Sequence, residues 1–313
     1  MKQAFTAVIF VFCSGSLLFA QDVTKIVQLD SVMITAVKGG FSVEDFIYLV
    51  KQDTSFYKAF KNLRYYPYTF ESNLVVFNRR SDKEKASLYR KASQRVVAGK
   101  RWIEITEEKT AGNIYNKDKK FTYYTAELFD YTFYPRDTVV ASNIITGRPG
   151  SALQDASKNQ KYKDRLEVLM FNPGSEVDGI PLISSRMAIF DKDMLGYYDY
   201  KIYSEKYRDT IPCYVFECKP KTDLGYFRKD DVVIKDLVSF FERKTFSIVY
   251  RKYLLSYNSV LFDFDVKIEV RLQELGGVLV PEYITYTGYW DVPFKKPEVI
   301  SFKMHFYDYK ITP

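Results

Sequence analysis

Between Phe262 and Gln273 the chain alternates without a break. Phe262, Phe264, Val266, Ile268, Val270 and Leu272 fall on one parity, and Asp263, Asp265, Lys267, Glu269, Arg271 and Gln273 on the other. A helix would spread the apolar set around its axis, whereas the two-residue period of a pleated strand gathers it on one face. Gly276-Gly277 follows, a pair that reaches positive φ cheaply, and Val278, Val280, Ile284, Tyr286 and Trp290 then define the apolar side of a returning strand. The expected result is a long antiparallel hairpin with one dry face, which a second sheet, helices or a ligand must cover.

The rest of the chain extends this pattern. Aromatic residues are 17% of the sequence, with 27 Tyr and 25 Phe, a composition suited to half-buried strands. Strands are expected over 68–77, 102–106, 121–133 (closed by Pro135), 166–171, 198–202, 213–218 and 246–257, and finally through Ile300, Phe302, Met304 and Phe306. Helical spacing through Phe46, Leu49, Val50, Phe56, Tyr57 and Phe60 predicts two short helices over 42–63, broken near Asp53-Thr54 and stopped by Pro67. Ser42 with Asp45 reads as the cap of the first. The polar segment 151–163 is open to a short helix.

Residues 81–98 form the most basic stretch: nine Lys or Arg stand between Arg79 and Arg101, with Leu88, Tyr89, Ala92 and Val96 as a narrow apolar stripe. The pattern predicts a cationic helix, either seated on a sheet by that stripe or lying on an anionic membrane surface. Residues 1–20 have the charged start, apolar run and final Ala20 of a signal peptide, interrupted by Cys13-Ser14-Gly15-Ser16 before they reach spanning length. Export into the periplasm or to the outer membrane is therefore expected, with no nucleic-acid partner. A lead strand is expected at 27–36 within 21–40, and no repeat or linker divides residues 41–313.

Little in the composition announces chemistry. Beyond the signal, Cys213 and Cys218 are the only cysteines; five apart on one strand, they face opposite ways and do not suit a disulfide. With a single His, they fall short of a structural zinc site. His305 sits on the polar parity of the last strand without a nucleophile and acid beside it, and neither Gly39-Gly40 nor Gly276-Gly277 continues into a phosphate loop. No metal, cofactor or catalytic set is expected. Asp263 and Asp265 share a face with Lys267, Glu269 and Arg271 and read as a solvated charge ladder.

LDSVMITA at 29–36 is similar to an LxxVVVTA segment found early in many exported Bacteroidota envelope proteins. The order of leading helices, long antiparallel strands and final hairpin, with the segments IVYRKYLLSYN (248–258) and VPEYITYTGYW (280–290), resembles the lipoprotein-sorting superfamily of the LolA and LolB carriers. That resemblance implies a mainly β (α+β) fold, a single antiparallel sheet curved into an incomplete barrel and covered or filled by a few short helices. It also implies a concave face that accepts acyl chains. On that face the alternation places Phe262, Phe264, Val266, Ile268 and Val270, then Ile284, Tyr286 and Trp290, then Phe302, Met304 and Phe306. The function expected is an exported binder of a lipid or lipoprotein acyl chain, with an envelope protein as a further partner and 79–101 as a membrane contact. Two alternatives stay open: a structural or interaction protein whose barrel is filled, and a carboxylate-based hydrolase.

Overall fold

The computed structural model describes residues 43–135, 137–144, 171–174, 185–225, 231–259, 263–291 and 295–311. The signal peptide, the lead strand 27–36, Ser42, the segment 151–163 and Phe262 lie outside them; of the strand expected over 166–171 only Phe171 is described, and its backbone is helical.

Two helices open the described chain, α1 (Val43–Gln52) and α2 (Ser55–Asn62), with the break at Asp53-Thr54. Eleven strands then form one antiparallel sheet: β1 (Tyr68–Phe77), β2 (Glu84–Val97), β3 (Lys100–Gly112), β4 (Val139–Val140), β5 (Tyr198–Tyr207), β6 (Ile211–Pro220), β7 (Ile234–Glu242), β8 (Ile248–Asn258), β9 (Asp263–Leu275), β10 (Val278–Asp291) and β11 (Glu298–Tyr307). A third helix, α3 (Tyr124–Phe133), precedes β4, and a single turn, α4 (Lys192–Leu195), precedes β5. The strand order is β4-β3-β2-β1-β11-β10-β9-β8-β7-β6-β5, two meanders joined where β11 returns beside β1. Among the described residues no strand pairs with the outer edges of β4 and β5, and the sheet does not close into a barrel.

The hairpin at its centre follows from the alternation. Phe264, Val266, Ile268, Val270 and Leu272 are buried, Asp265 and Lys267 are exposed, and Glu269 is half-buried, bonded by Lys267 at 2.6 Å and by Tyr250 Oη at 3.1 Å. Gly276 and Gly277 take φ values of 56° and 79° in the reversal. One feature departs from the expected pairing. A bulge between Pro281 and Tyr283 adds a residue to β10, so Val278 and Val280 face away from the side occupied by Ile284, Tyr286 and Trp290. Leu279 packs toward the core in their place.

Two stretches adopt the other secondary structure. Residues 84–97 are strand β2, not a helix. Leu88, Ala92 and Val96 are spaced by four, an interval that keeps residues on one side of a helix and of a strand alike. The inward parity is Ala86, Leu88, Arg90, Ala92 and Gln94, and two long polar side chains in that row hide the alternation. Gln94 is buried because its amide donates to Leu63 O at 2.6 Å and Tyr66 O at 2.7 Å, just beyond α2, and accepts from Arg101 at 3.0 Å. Conversely, 124–133 is helix α3 rather than strand: its buried residues Thr125, Ala126, Phe129, Thr132 and Phe133 recur at helical spacing. The helix starts where it does because Glu298, far along the chain, accepts the free N–H groups of Tyr124 at 2.9 Å and Thr125 at 3.0 Å.

Candidate functional site

The pairing registers place one row of side chains across the inner face. It runs Arg90 (β2), Ser72 (β1), Met304 (β11), Ile284 (β10), Val270 (β9), Arg251 (β8) and Ser239 (β7). An apolar centre is thus flanked by two inward arginines, five strands apart, or roughly 24 Å measured along the sheet.

The apolar centre is covered by the chain itself. Phe129 of α3 stacks on Phe302 with centroids 4.1 Å apart and meets Tyr286 at 4.9 Å, and Phe133 lies 5.6 Å from Phe302. The Tyr286 ring folds back over Gly288, whose missing side chain leaves it room, and its hydroxyl accepts from Trp290 Nε1. Phe264 stacks on Trp290 at 4.9 Å, and Phe306 packs on Phe70 and Tyr68. Phe46 of α1 covers the other half, against Phe216 and Phe241. Asn62 pins α2 to β10 by donating to Leu279 O at 2.8 Å. Val266, Ile268, Val270, Ile284 and Met304 are all buried in this core. The described inner residues expected to meet a ligand therefore lie in a core built with aromatic rings of α1 and α3 and of neighbouring strands.

Space remains at the β2–β3 end of the row. An open cleft of about 620 Å³ is walled by Ile103, Ile105, Tyr115, Phe121, Tyr134 and Pro135. Its polar side is Arg90, Glu108, Asp130 and Lys119. Arg90 is buried at 6% exposure and fully engaged: Nε donates to Glu108 at 2.6 Å, one terminal nitrogen to Asp130 at 2.5 Å and the other to Tyr115 Oη at 2.8 Å. The guanidinium also lies over the Tyr134 ring at 4.7 Å, and the Tyr134 hydroxyl bonds to Ser72 Oγ at 2.6 Å. Burial opposes the charge on Arg90, but the hydrogen bond and attraction of Asp130, with the hydrogen bond to Glu108, outweigh it and hold the group above its ordinary pKa. Burial pushes the Tyr134 hydroxyl up, so it stays protonated. The cleft is therefore open to solvent, with a fixed polar network at its floor and apolar side chains among its walls.

Arg251 differs. It is 5% exposed, donates to Ser239 Oγ at 2.8 Å and lies over the Phe56 ring at 4.4 Å. Among the described residues no carboxylate pairs with it; desolvation depresses its pKa, and the attraction of Asp53 offsets this only in part. Asp53 Oδ2 is itself buried without a hydrogen bond. His305 is exposed between the rings of Tyr283 and Tyr307, away from this face. Cys213 and Cys218 are free and buried. Among the described residues no group of His, Cys, Asp and Glu is placed to hold a metal.

Arg90, Asp130 and Glu108 escaped sequence reasoning because the strand carrying Arg90 read as a helix and the helix carrying Asp130 read as a strand. No family model matches the chain, and no curated protein matches it. A solved structure concerned with lipid–protein interactions in lipovitellin aligns with 79% of this chain and 25% of its own, at 8% identity and a TM-score of 0.24. The chain spans about a quarter of that protein, and at this TM-score the likeness carries no functional argument.

Proposed function

We propose that the chain is an exported envelope protein that binds the apolar part of an amphiphile, an acyl chain above all, in the cleft beside Arg90. The observation that carries this reading is that, among the described residues, the chain's own rings cover the centre of the inner face while its β2–β3 end keeps a cleft of about 620 Å³ with aliphatic and aromatic walls. That size lies within the range of small-molecule sites. Each methylene buried there contributes about 0.8 kcal/mol.

The hydrolase alternative draws on the same place, since Glu108 and Asp130 converge on it. A glycosidase needs one carboxyl free to protonate a leaving group and one free to attack or activate water. Here both carboxylates bond to Arg90, which favours a binding floor over a reaction centre.

Displacement of a fluorescent fatty acid from detergent-free protein tests the binding reading. Ile103→Glu and Phe121→Glu, each placing a charge on an apolar wall, should weaken binding tenfold or more, roughly the 1.4 kcal/mol that a misplaced charge readily exceeds. Wild-type affinity in both variants would remove the ligand from this cleft, and hydrolysis of glycoside or ester substrates abolished by Glu108→Gln would favour the enzyme.

A further inference from the structure

One end of the sheet gathers a dense set of basic residues. The turn between β1 and β2, the loop before α3 and the residues before β11 meet there, because Phe77 pairs with Val299, Ala86 with Gly112 and Trp290 with Glu298. The first segment supplies Arg79, Arg80, Lys83 and Lys85, the second Lys117, Lys119 and Lys120, the third Lys295 and Lys296. Against these nine cations stand Asp82, Glu84 and Asp118, a net of +6. Asp263 and Asp291 border the patch near Tyr289.

All nine cations are exposed, and none forms an ion pair among the described residues. The basic residues deeper in β2 are different: Arg90, Lys91 and Arg95 pair with Asp130 and Glu108, Glu71 and Glu104. The cationic helix expected over 81–98 is thus replaced by a paired strand with an unpaired rim at its start. Three rim cations rest on tyrosine rings: Arg79 over Tyr289 at 4.9 Å, Lys85 over Tyr123 at 5.5 Å and Lys295 over Tyr124 at 6.0 Å.

We propose that this rim docks the protein on an anionic lipid surface. Tyrosine beside Lys and Arg is the composition of a membrane interface, and each basic residue near an anionic leaflet contributes about 1 kcal/mol. The cations stand on three loop tips rather than along a groove, which suits an extended charged surface better than a nucleic-acid strand. Lys119 and Phe121 also line the cleft, so docking sets its mouth beside the head groups.

Co-sedimentation with lipid vesicles tests this independently of ligand binding. Wild-type protein should sediment with vesicles of phosphatidylcholine and phosphatidylglycerol, be released by high salt, and ignore phosphatidylcholine alone. The combined variant Arg80→Glu, Lys83→Glu, Lys117→Glu and Lys120→Glu should lower partitioning on the order of a hundredfold or more, while its urea midpoint and its displacement of the fluorescent fatty acid match wild type. Equal binding to neutral vesicles, no binding to anionic ones, or undiminished binding by the variant would overturn the proposal. Retention of heparin or single-stranded DNA without vesicle binding would show the partner class to be wrong. Failure of fatty-acid displacement alone would count against the cleft and leave the rim standing.

Discussion

Two inward arginines on one row separate what a buried charge does when paired from what it does when it is not. Arg90 holds Asp130 and Glu108 together; Arg90→Met leaves Asp130 beneath the cleft without its cation and should cost about 3–5 kcal/mol in urea unfolding. Arg251 bonds Ser239, lies over the Phe56 ring and is attracted by Asp53 without an ion pair to it among the described residues, so Arg251→Met removes a desolvated charge along with one hydrogen bond and should change stability by less than about 1 kcal/mol. Equal losses would mean that Arg251 is paired as firmly as Arg90. The buried hydroxyls and thiols set a pH dependence of known sign. Burial pushes the Cys213 thiol from 9.0 up to about 11 and raises Tyr68, Tyr134 and Tyr286 further. These groups stay neutral when folded and ionise once unfolded, so their contribution is complete below pH 9; the thiol's share is lost as pH climbs toward 11, and the hydroxyls' share begins to fall above pH 10 and is lost at still higher pH. Urea midpoints should be flat to about pH 9 and then fall; a rising midpoint would contradict the assignment.

Among the elements, legibility followed how far each stretch draws its partners from nearby sequence. β9 could be read outright, because its apolar parity is complete and Gly276-Gly277 fixes the reversal; the α1–α2 break was equally plain. Ile268→Asp, at a site with no exposure, should unfold the domain or lower its stability by more than about 4 kcal/mol, and Lys267→Asp, one residue away and exposed, should be tolerated. Comparable thermal melts for the two would show the strand to be misassigned. β2 and α3 were misread for one physical reason. Their decisive partners are distant: Arg90 is buried by Asp130 of α3, and α3 is started by Glu298 at the head of β11. The bulge at Pro281 is similar, since parity alone carries Val280 to the wrong side and the extra residue shows only in pairing with β9. Gly288 also acquires its meaning from packing. Gly288→Ala would collide with the Tyr286 ring and should destabilise by about 1–3 kcal/mol.

For the molecule as a whole, the sequence conveyed an antiparallel sheet covered by short helices and an inner apolar face. It could not convey how much of that face remains free. Counting aromatic residues does not distinguish rings that line a cavity from rings that fill it, and Phe129 and Phe46 are ones that fill it. The open order from β4 to β5 leaves the β2–β3 end incompletely covered, and that end holds the cleft. Native mass spectrometry of detergent-free protein, followed by organic extraction, tests the binding account most directly. An added mass that disappears on extraction and is recovered as an acyl amphiphile, and that is absent from protein carrying Ile103→Glu, is the result the account predicts. A bare chain mass with an empty extract, in protein that also leaves the fluorescent fatty acid unbound, would contradict it.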